Sequence, residues 1–313
     1  MGNRVATTLA GKRLLIESDD ESIFPILFVG FGGDDGRNDV PFFHASLNNH
    51  LLHVRRGGAV TAPSELFFGL DDETCPYVLN GSTISFRDDG SEQFTLDGDS
   101  IIVHKGARWR EAVGSLLLRA FHRFIDDVIF VHASAIGVNG KGLLFIGFEN
   151  AGKSTLALAL AARSHDFLSD EYGCYEPSTH ELIPYRRPVG IREGRRAAAI
   201  DRAIAHGNFR RVEYDNTLRV DLGTLIPLPA ERRLPLHCIV FIDGFADDPS
   251  LRFVDAAAHQ VGMLQTLYSS LSNAPRGRRT FELARMLSRS RVAFLKIGDP
   301  DETAAMIEKE FGS

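Results

Sequence analysis

The sequence predicts an α/β protein, with a β-rich region over residues 1–106 ahead of a mixed α/β region over residues 107–313. Three observations carry that prediction. The first third of the chain alternates short apolar runs with turn residues, as in KRLLIES, HLLHVRRGG and YVLNGSTISF. The stretch LLFIGFENAGKST, Leu143 to Thr155, joins an apolar run to a glycine loop and then to good helix formers. Further on, LHCIVFIDG is an unbroken apolar run of the kind found in a strand covered on both faces.

The elements follow in order. PILFVGFGG, ELFFGLDD and EQFTLDGDSIIVHKG read as further strands of the first region. Turns are expected at Asp89-Gly90 and Asp97-Gly98, because such pairs tolerate positive φ. RWREAVGSLLLRAFHRFIDD then spaces Val113, Leu116, Leu117, Ala120, Phe121 and Phe124 at helical intervals, which sets the change of domain near residue 107. VIFVHASAIGVNGKGLLFIG reads as strand, turn at Asn139-Gly140 and strand, and KSTLALALAARSH as a helix. FLSDEYGCYEP and ELIPYRRPVGI read as short strands, and GRRAAAIDRAIAHG as a helix capped by Gly207. After the LHCIVFIDG strand come two helices, DAAAHQVGMLQTLYSSL and RTFELARMLSRS, then the strand and helix of RVAFLKIGDPDETAAMIEKEF. RGRR, Arg276 to Arg279, reads as a solvated loop.

Composition excludes several classes. Hydrophobic residues make up 44% of the 313 and charged residues 24%, so the chain can bury a core without staples. A net charge of −6 supplies no basic field for nucleic acid. Cys75, Cys174 and Cys238 are far apart and odd in number, which gives neither a zinc spacing nor a disulfide framework and fits a reducing cytoplasm. The start, MGNRVATTLAGKRLL, has no apolar stretch of signal-peptide length, and Ala6 stands where myristoylation needs Ser or Thr. No run approaches the roughly 18 apolar residues of a membrane span, so no membrane partner is expected.

The glycine loop carries the chemistry. Gly147, Phe148, Glu149, Asn150, Ala151, Gly152, Lys153 and Ser154 fit the phosphate-loop pattern G-x-x-x-x-G-K-[ST] in full, with Thr155 next. Glycines let the backbone wrap so that its N–H groups point at phosphate oxygens, and the following helix N-terminus adds partial positive charge. Lys153 is placed to reach the β- and γ-phosphates and Ser154 to ligate Mg²⁺. ATP and Mg²⁺ are therefore the expected cofactors.

Two flanking strings complete the constellation. VHAS places His132 at a strand end shortly before the loop; FLSDEYG places Asp170 and Glu171 at a strand end soon after its helix. Neighbouring strand ends converge on one rim, where ligands bind. There one carboxylate can hold the metal and the other can take a proton from an attacking hydroxyl. Alone, an acidic pair is usually a solvated turn and a lone histidine a satisfied core residue. A competing metal ligand is Asp243, at the end of CIVFIDG, which has the apolar-run-then-Asp form of a Walker B strand.

The order of these pieces resembles the HPr serine kinase/phosphorylase family and its related kinases. That family sets a His on a strand before a phosphate loop, then a helix and a strand ending in paired acidic residues. The matching string here runs from Val131 to Gly173, and YRRPVGIREG matches a basic, proline-containing segment more weakly. The resemblance implies a P-loop kinase domain of the HPr kinase / phosphoenolpyruvate-carboxykinase-like type. It implies phosphate and Mg²⁺ binding by Lys153 and Ser154, and a catalytic acid/base in Asp170 that deprotonates an acceptor serine. It further implies a second acidic residue near the metal in Glu171 and a histidine beside the phosphates in His132. Such kinases act on a protein or, in peptide natural-product pathways, on a precursor peptide, and the family often forms homo-oligomers. A small-molecule hydroxyl stays open as acceptor.

Arginine can clamp transferring phosphoryl oxygens bidentately. Among the cluster Arg186, Arg187, Arg192, Arg195, Arg196, Arg210 and Arg211, the two that flank Pro188, Arg187 and Arg192, are the expected site residues. Three functions remain in view: a kinase with Asp170 as base, a nucleotide switch or ATPase with Asp243 at the metal and water as acceptor, and a nucleotide-binding scaffold without turnover. The region over 1–106 is expected to recognise the acceptor or to mediate assembly.

Overall fold

The computed structural model describes residues 4–32, 40–67, 76–214, 217–267 and 276–312; Cys75 lies outside them. The chain forms two compact units, Met1–Ile125 and Asp126–Ser313.

The first unit contains β1 (Arg4–Leu9), β2 (Lys12–Ser18), α1 (Phe24–Phe31), β3 (Phe43–Asn48), β4 (Leu51–Arg56), β5 (Ala59–Val60), α2 (Pro63–Leu66), β6 (Tyr77–Asn80), β7 (Thr83–Phe86), β8 (Glu92–Asp97), β9 (Ser100–Val103) and α3 (Trp109–Phe124). Its described strands form one sheet in the order β1-β2-β3-β4-β9-β8-β7-β6, with β5 beside β4. The region is β-rich as expected, and Gly90 and Gly98 sit at positive φ in its turns.

Three sequence expectations change here. Residues 25–31 of PILFVGFGG lie in helix α1, which buries Leu27, Phe28, Val29 and Phe31, rather than in a strand, because an all-apolar run carries no period that separates the two. Pro25 suits the first helical turn, where its missing N–H is not needed. Of ELFFGLDD, Glu65 and Leu66 end the short helix α2, and residues 68–72 lie outside the described residues. The division between units falls at 125/126 rather than at 106/107, since α3 packs within the first unit. Phe121 of α3 meets Phe43 edge-on at 5.7 Å, and the Tyr77 hydroxyl donates to the Ala112 carbonyl at 2.9 Å.

The second unit contains β10 (Ile129–Val131), β11 (Ala133–Val138), β12 (Lys141–Ile146), α4 (Lys153–Ala162), β13 (Asp166–Ser169), β14 (Gly173–Glu176), β15 (Glu181–Ile183), β16 (Val189–Ile191), α5 (Ala198–His206), β17 (Arg211–Tyr214), β18 (Thr217–Val220), α6 (Leu222–Leu225), β19 (Leu234–Phe245), β20 (Ser250–Val254), α7 (Ala256–Leu267), α8 (Arg276–Arg289), β21 (Arg291–Ile297) and α9 (Pro300–Phe311). A large mixed sheet runs β10-β14-β15-β19-β12-β11-β13, with β21 beside β19 and β20 beside β21. Strands β12, β19 and β21 are parallel. A small sheet, β16-β18-β17, stands apart.

Alternation along the parallel strands fills both faces of the large sheet. Leu143 and Phe145 pack with Leu156, Leu160 and Phe311 on the α4 and α9 side. Leu144 and Ile146 pack with Met263, Leu283 and Met286 on the α7 and α8 side. Burial on both faces is why these strands read as unbroken apolar runs. The turn at Asn139-Gly140 has φ of 50° and 78°, the paired positive values of a tight hairpin. RGRR is not a loop: Arg276 opens α8, and Arg279 is buried. No described helix is long and apolar enough to cross a membrane.

Candidate functional site

Sheet register assembles the site. Strand β11 lies between β12 and β13, with Ala133 opposite Ile146 and Ala135 opposite Ser169. That register sets His132 and Ser134, the glycine loop from Gly147, and Asp170 along one rim. His132 is the single residue between β10 and β11, and Ser134 is the second residue of β11.

The loop's glycines answer local demands. Gly152 has φ +93°, and a Cβ there would sit 2.9 Å from the Ile297 Cδ1. At Gly147 a Cβ would meet the Ala151 Cβ at 2.9 Å, so the chain can close the loop only without one. Helix α4 starts at Lys153, directly behind the loop, so its unpaired N–H groups face the loop's concavity. Lys153 is buried and donates to the carbonyls of Gly147 at 2.8 Å and Phe148 at 2.9 Å. Desolvation lowers its pKa and Arg192 lowers it further, while Asp170 and Glu149 oppose the change.

Asp170 is the hub. Its Oδ1 accepts from the Ser134 hydroxyl at 2.6 Å and from the Ser154 hydroxyl at 2.9 Å, and the residue is buried. His132 reaches solvent at the cavity wall. Desolvation by the surrounding protein lowers its pKa, Lys153 adds to the depression, and Asp170 and Glu149 act against it.

Glu171 turns elsewhere. It has φ +66°, and its carboxylate accepts from Arg187 and, at 3.5 Å, from Arg219. Arg187 is buried with its guanidinium over the Tyr172 ring at 4.5 Å, and desolvation pushes its pKa down to about 9. Coulombic repulsion from Arg219 acts in the same direction.

A cavity of about 800 Å³ gathers these groups. Its wall includes His132, the run Glu149, Asn150, Ala151, Gly152, Lys153, Ser154 and Thr155, and then Asp170, Glu171 and Arg192. Arg192 donates to the Asn150 side chain at 2.6 Å and so ties the basic segment to the loop. Gly147 lies at the foot of the loop, outside the cavity wall, and contributes the carbonyl that holds Lys153.

Two expectations shift. Arg187 does not line the cavity; it stands behind Glu171 as that carboxylate's buried partner. Asp243 is exposed and outside the cavity wall, in a bulge where the β19–β21 register shifts between Ile242 and Phe245. Ser134 and Arg219 join the site without having been expected. Ser134 was legible, two residues after His132 in the same short string; Arg219 was not, because only the β16–β18 pairing sets it opposite Gly190.

Among the described residues, no cluster of three or more His, Cys, Asp or Glu side chains could hold a metal. The adjacent Ser154 hydroxyl and Asp170 carboxylate do fit Mg²⁺, which takes one or two protein oxygens and completes its shell with phosphate and water. Glu171, expected near the metal, is occupied by the two arginines instead.

No family model matches the chain, and no curated protein matches it. Among solved structures, the HPr(Ser) kinase/phosphatase from Coxiella burnetii is similar at 14% identity, over 58% of this chain and 92% of that chain, with a TM-score of 0.27.

Proposed function

We propose that the second unit is an ATP-dependent, Mg²⁺-requiring kinase that transfers the γ-phosphoryl group to a hydroxyl, a serine of a protein or peptide in the first place. The observation that carries this reading is the convergence of Ser134 and Ser154 on one oxygen of Asp170 beside the Lys153 loop.

The loop's N–H groups and the α4 N-terminus bind the phosphates. Lys153 leaves the Gly147 and Phe148 carbonyls and moves onto the phosphate oxygens, a short swing within one loop. Ser154 and Asp170 would hold Mg²⁺, which neutralises charge on the phosphates. Asp170 accepts the proton of the acceptor hydroxyl, with Oδ2 as the receiving oxygen because both serines donate to Oδ1. The hydroxyl oxygen forms a bond to the γ-phosphorus as the bond to the β–γ bridging oxygen breaks, and ADP leaves. Arg192 and Arg219, both on the cavity wall, stabilise charge on the transferring group.

Transfer from labelled ATP tests the reading. Purified protein is incubated with Mg²⁺, serine-containing peptides, small hydroxyl compounds and cell extract. Label on an acceptor, lost in Asp170→Asn and kept in Asp243→Asn, is the expected result. Free phosphate alone, abolished by Asp243→Asn, would replace the kinase with an ATPase.

A further inference from the structure

The cavity wall holds an aromatic ring that phosphate chemistry leaves unused. Phe245, at the tip of β19, is 65% exposed yet lines the cavity. Its ring lies over the loop's last turn, with Cε1 3.6 Å from the position a Cβ on Gly152 would take. The bulge that delivers it comes from Gly244, at φ +98°, and the register shift between Ile242 and Phe245. Ile297 meets the same point of Gly152 as the ring, and Ile200, also buried, and Pro300, which opens α9, add apolar surface to the cavity wall.

Two backbone donors of these residues are already engaged. The Ala246 N–H donates to the Ile297 carbonyl at 2.9 Å, and the Gly298 N–H to the Thr303 hydroxyl at 3.1 Å. Phe245, Ala246, Ile297, Gly298 and Pro300 bring no polar side chain. These five residues therefore offer a π-face and apolar surface next to a phosphate cradle; the charged side chains on the same wall, Glu193, Arg195 and Arg196, come from the segment between β16 and α5.

We infer that Phe245 is the stacking platform for the base of the bound nucleotide, and that the site selects by stacking area rather than by base identity. The inference rests on the nucleotide reading above. It commits the apolar surface to a purine base, because the same cavity holds the phosphate loop and an aromatic ring one contact away from it. Exposure alone does not single Phe245 out, since Phe148 and Phe281 are also exposed; position on the cavity wall does.

Direct binding measurements on the full chain test it, with ATP, GTP, UTP and inorganic tripolyphosphate as probes. For the unaltered chain, ATP and GTP should agree within about threefold and UTP should bind more weakly. Phe245→Ala should weaken ATP and GTP alike by about tenfold, as loss of base–aromatic stacking does. Phe245→Trp should retain both affinities, and tripolyphosphate should bind all three chains equally. Because the ring is largely exposed, the alanine variant should keep the unfolding midpoint of the parent. ATP affinity unchanged in Phe245→Ala, or tripolyphosphate weakened as much as ATP, overturns the platform and leaves the phosphate site standing. If the unaltered chain binds neither ATP nor tripolyphosphate, the nucleotide reading fails and the platform with it.

Discussion

Ser134 donates its hydroxyl proton to Asp170 at 2.6 Å, across 36 residues of sequence and with both side chains buried. A hydrogen bond to a charged group contributes about 1.5–3 kcal/mol, and a buried carboxylate that loses a donor keeps its desolvation cost. Ser134→Ala should lower the unfolding free energy by about 2 kcal/mol, read in urea titrations. Asp170 would then be held by Ser154 alone. Phosphoryl transfer should slow about tenfold with nucleotide affinity little changed, since a misaligned base affects the reacting geometry more than binding. Equal rates in the two proteins would remove Ser134 from the positioning of Asp170.

Glu171 pairs with a buried Arg187 while standing at φ +66°, so two opposing terms meet at one residue. Glu171→Ala keeps the left-handed backbone and deletes the carboxylate, leaving Arg187 without its partner. Breaking a fully buried pair costs about 3–5 kcal/mol, and the 31% exposure of Glu171 reduces that to about 2 kcal/mol here. Glu171→Gly deletes the same carboxylate but relieves the backbone, which disfavours residues with a Cβ by about 1–2 kcal/mol. Glycine's greater freedom when unfolded offsets part of that relief. The glycine variant should therefore be the more stable of the two, by about 1 kcal/mol, in denaturant midpoints. The reverse order would mean that the left-handed turn is not strained.

These residues also mark what could be read from sequence. The loop, α4 and β12 were legible because each depends on a contiguous pattern, and the Gly147 and Gly152 positions demand glycine for local reasons. His132 and Asp170 were legible as strand ends flanking the loop. Arg187 was misjudged because flanking Pro188 says nothing about which side of the acidic turn it packs on. Arg219 was invisible because a sheet formed across residues 189–220 brings it to the cavity. Helix α1 failed for want of a period, and the unit boundary failed because α3 is held by Phe31, Phe43 and Tyr77, far from it in sequence.

His132 gives a pH dependence of known sign. Its ordinary value is 6.5, and desolvation followed by repulsion from Lys153 lowers it in the folded state. The unfolded chain therefore binds this proton first as pH falls. Between 6.5 and the lower folded value the unfolded state holds more protons, so stability declines as pH drops through that window and is unaffected above it. His132→Asn removes the contribution. The parent should lose more stability than the variant between pH 7 and pH 5, in paired urea titrations. Parallel profiles would mean that the imidazole is as well solvated folded as unfolded.

Ser154 and Asp170 lie 2.9 Å apart at the start of α4, and the proposed metal role divides between them. Removing the hydroxyl takes away one direct oxygen and also a donor that orients the carboxylate. Ser154→Ala should raise the Mg²⁺ concentration for half-maximal transfer by at least about tenfold, the scale on which ligand support acts. Tripolyphosphate binding in the presence of a chelator should be unchanged, because the loop's N–H groups and Lys153 do not depend on the metal. The combination separates a metal ligand from a general loss of loop structure, which would weaken both. An unaltered Mg²⁺ requirement in Ser154→Ala, with a raised one in Asp243→Asn, would move the metal to the end of β19. It would then have to reach the phosphates from an exposed bulge outside the cavity wall.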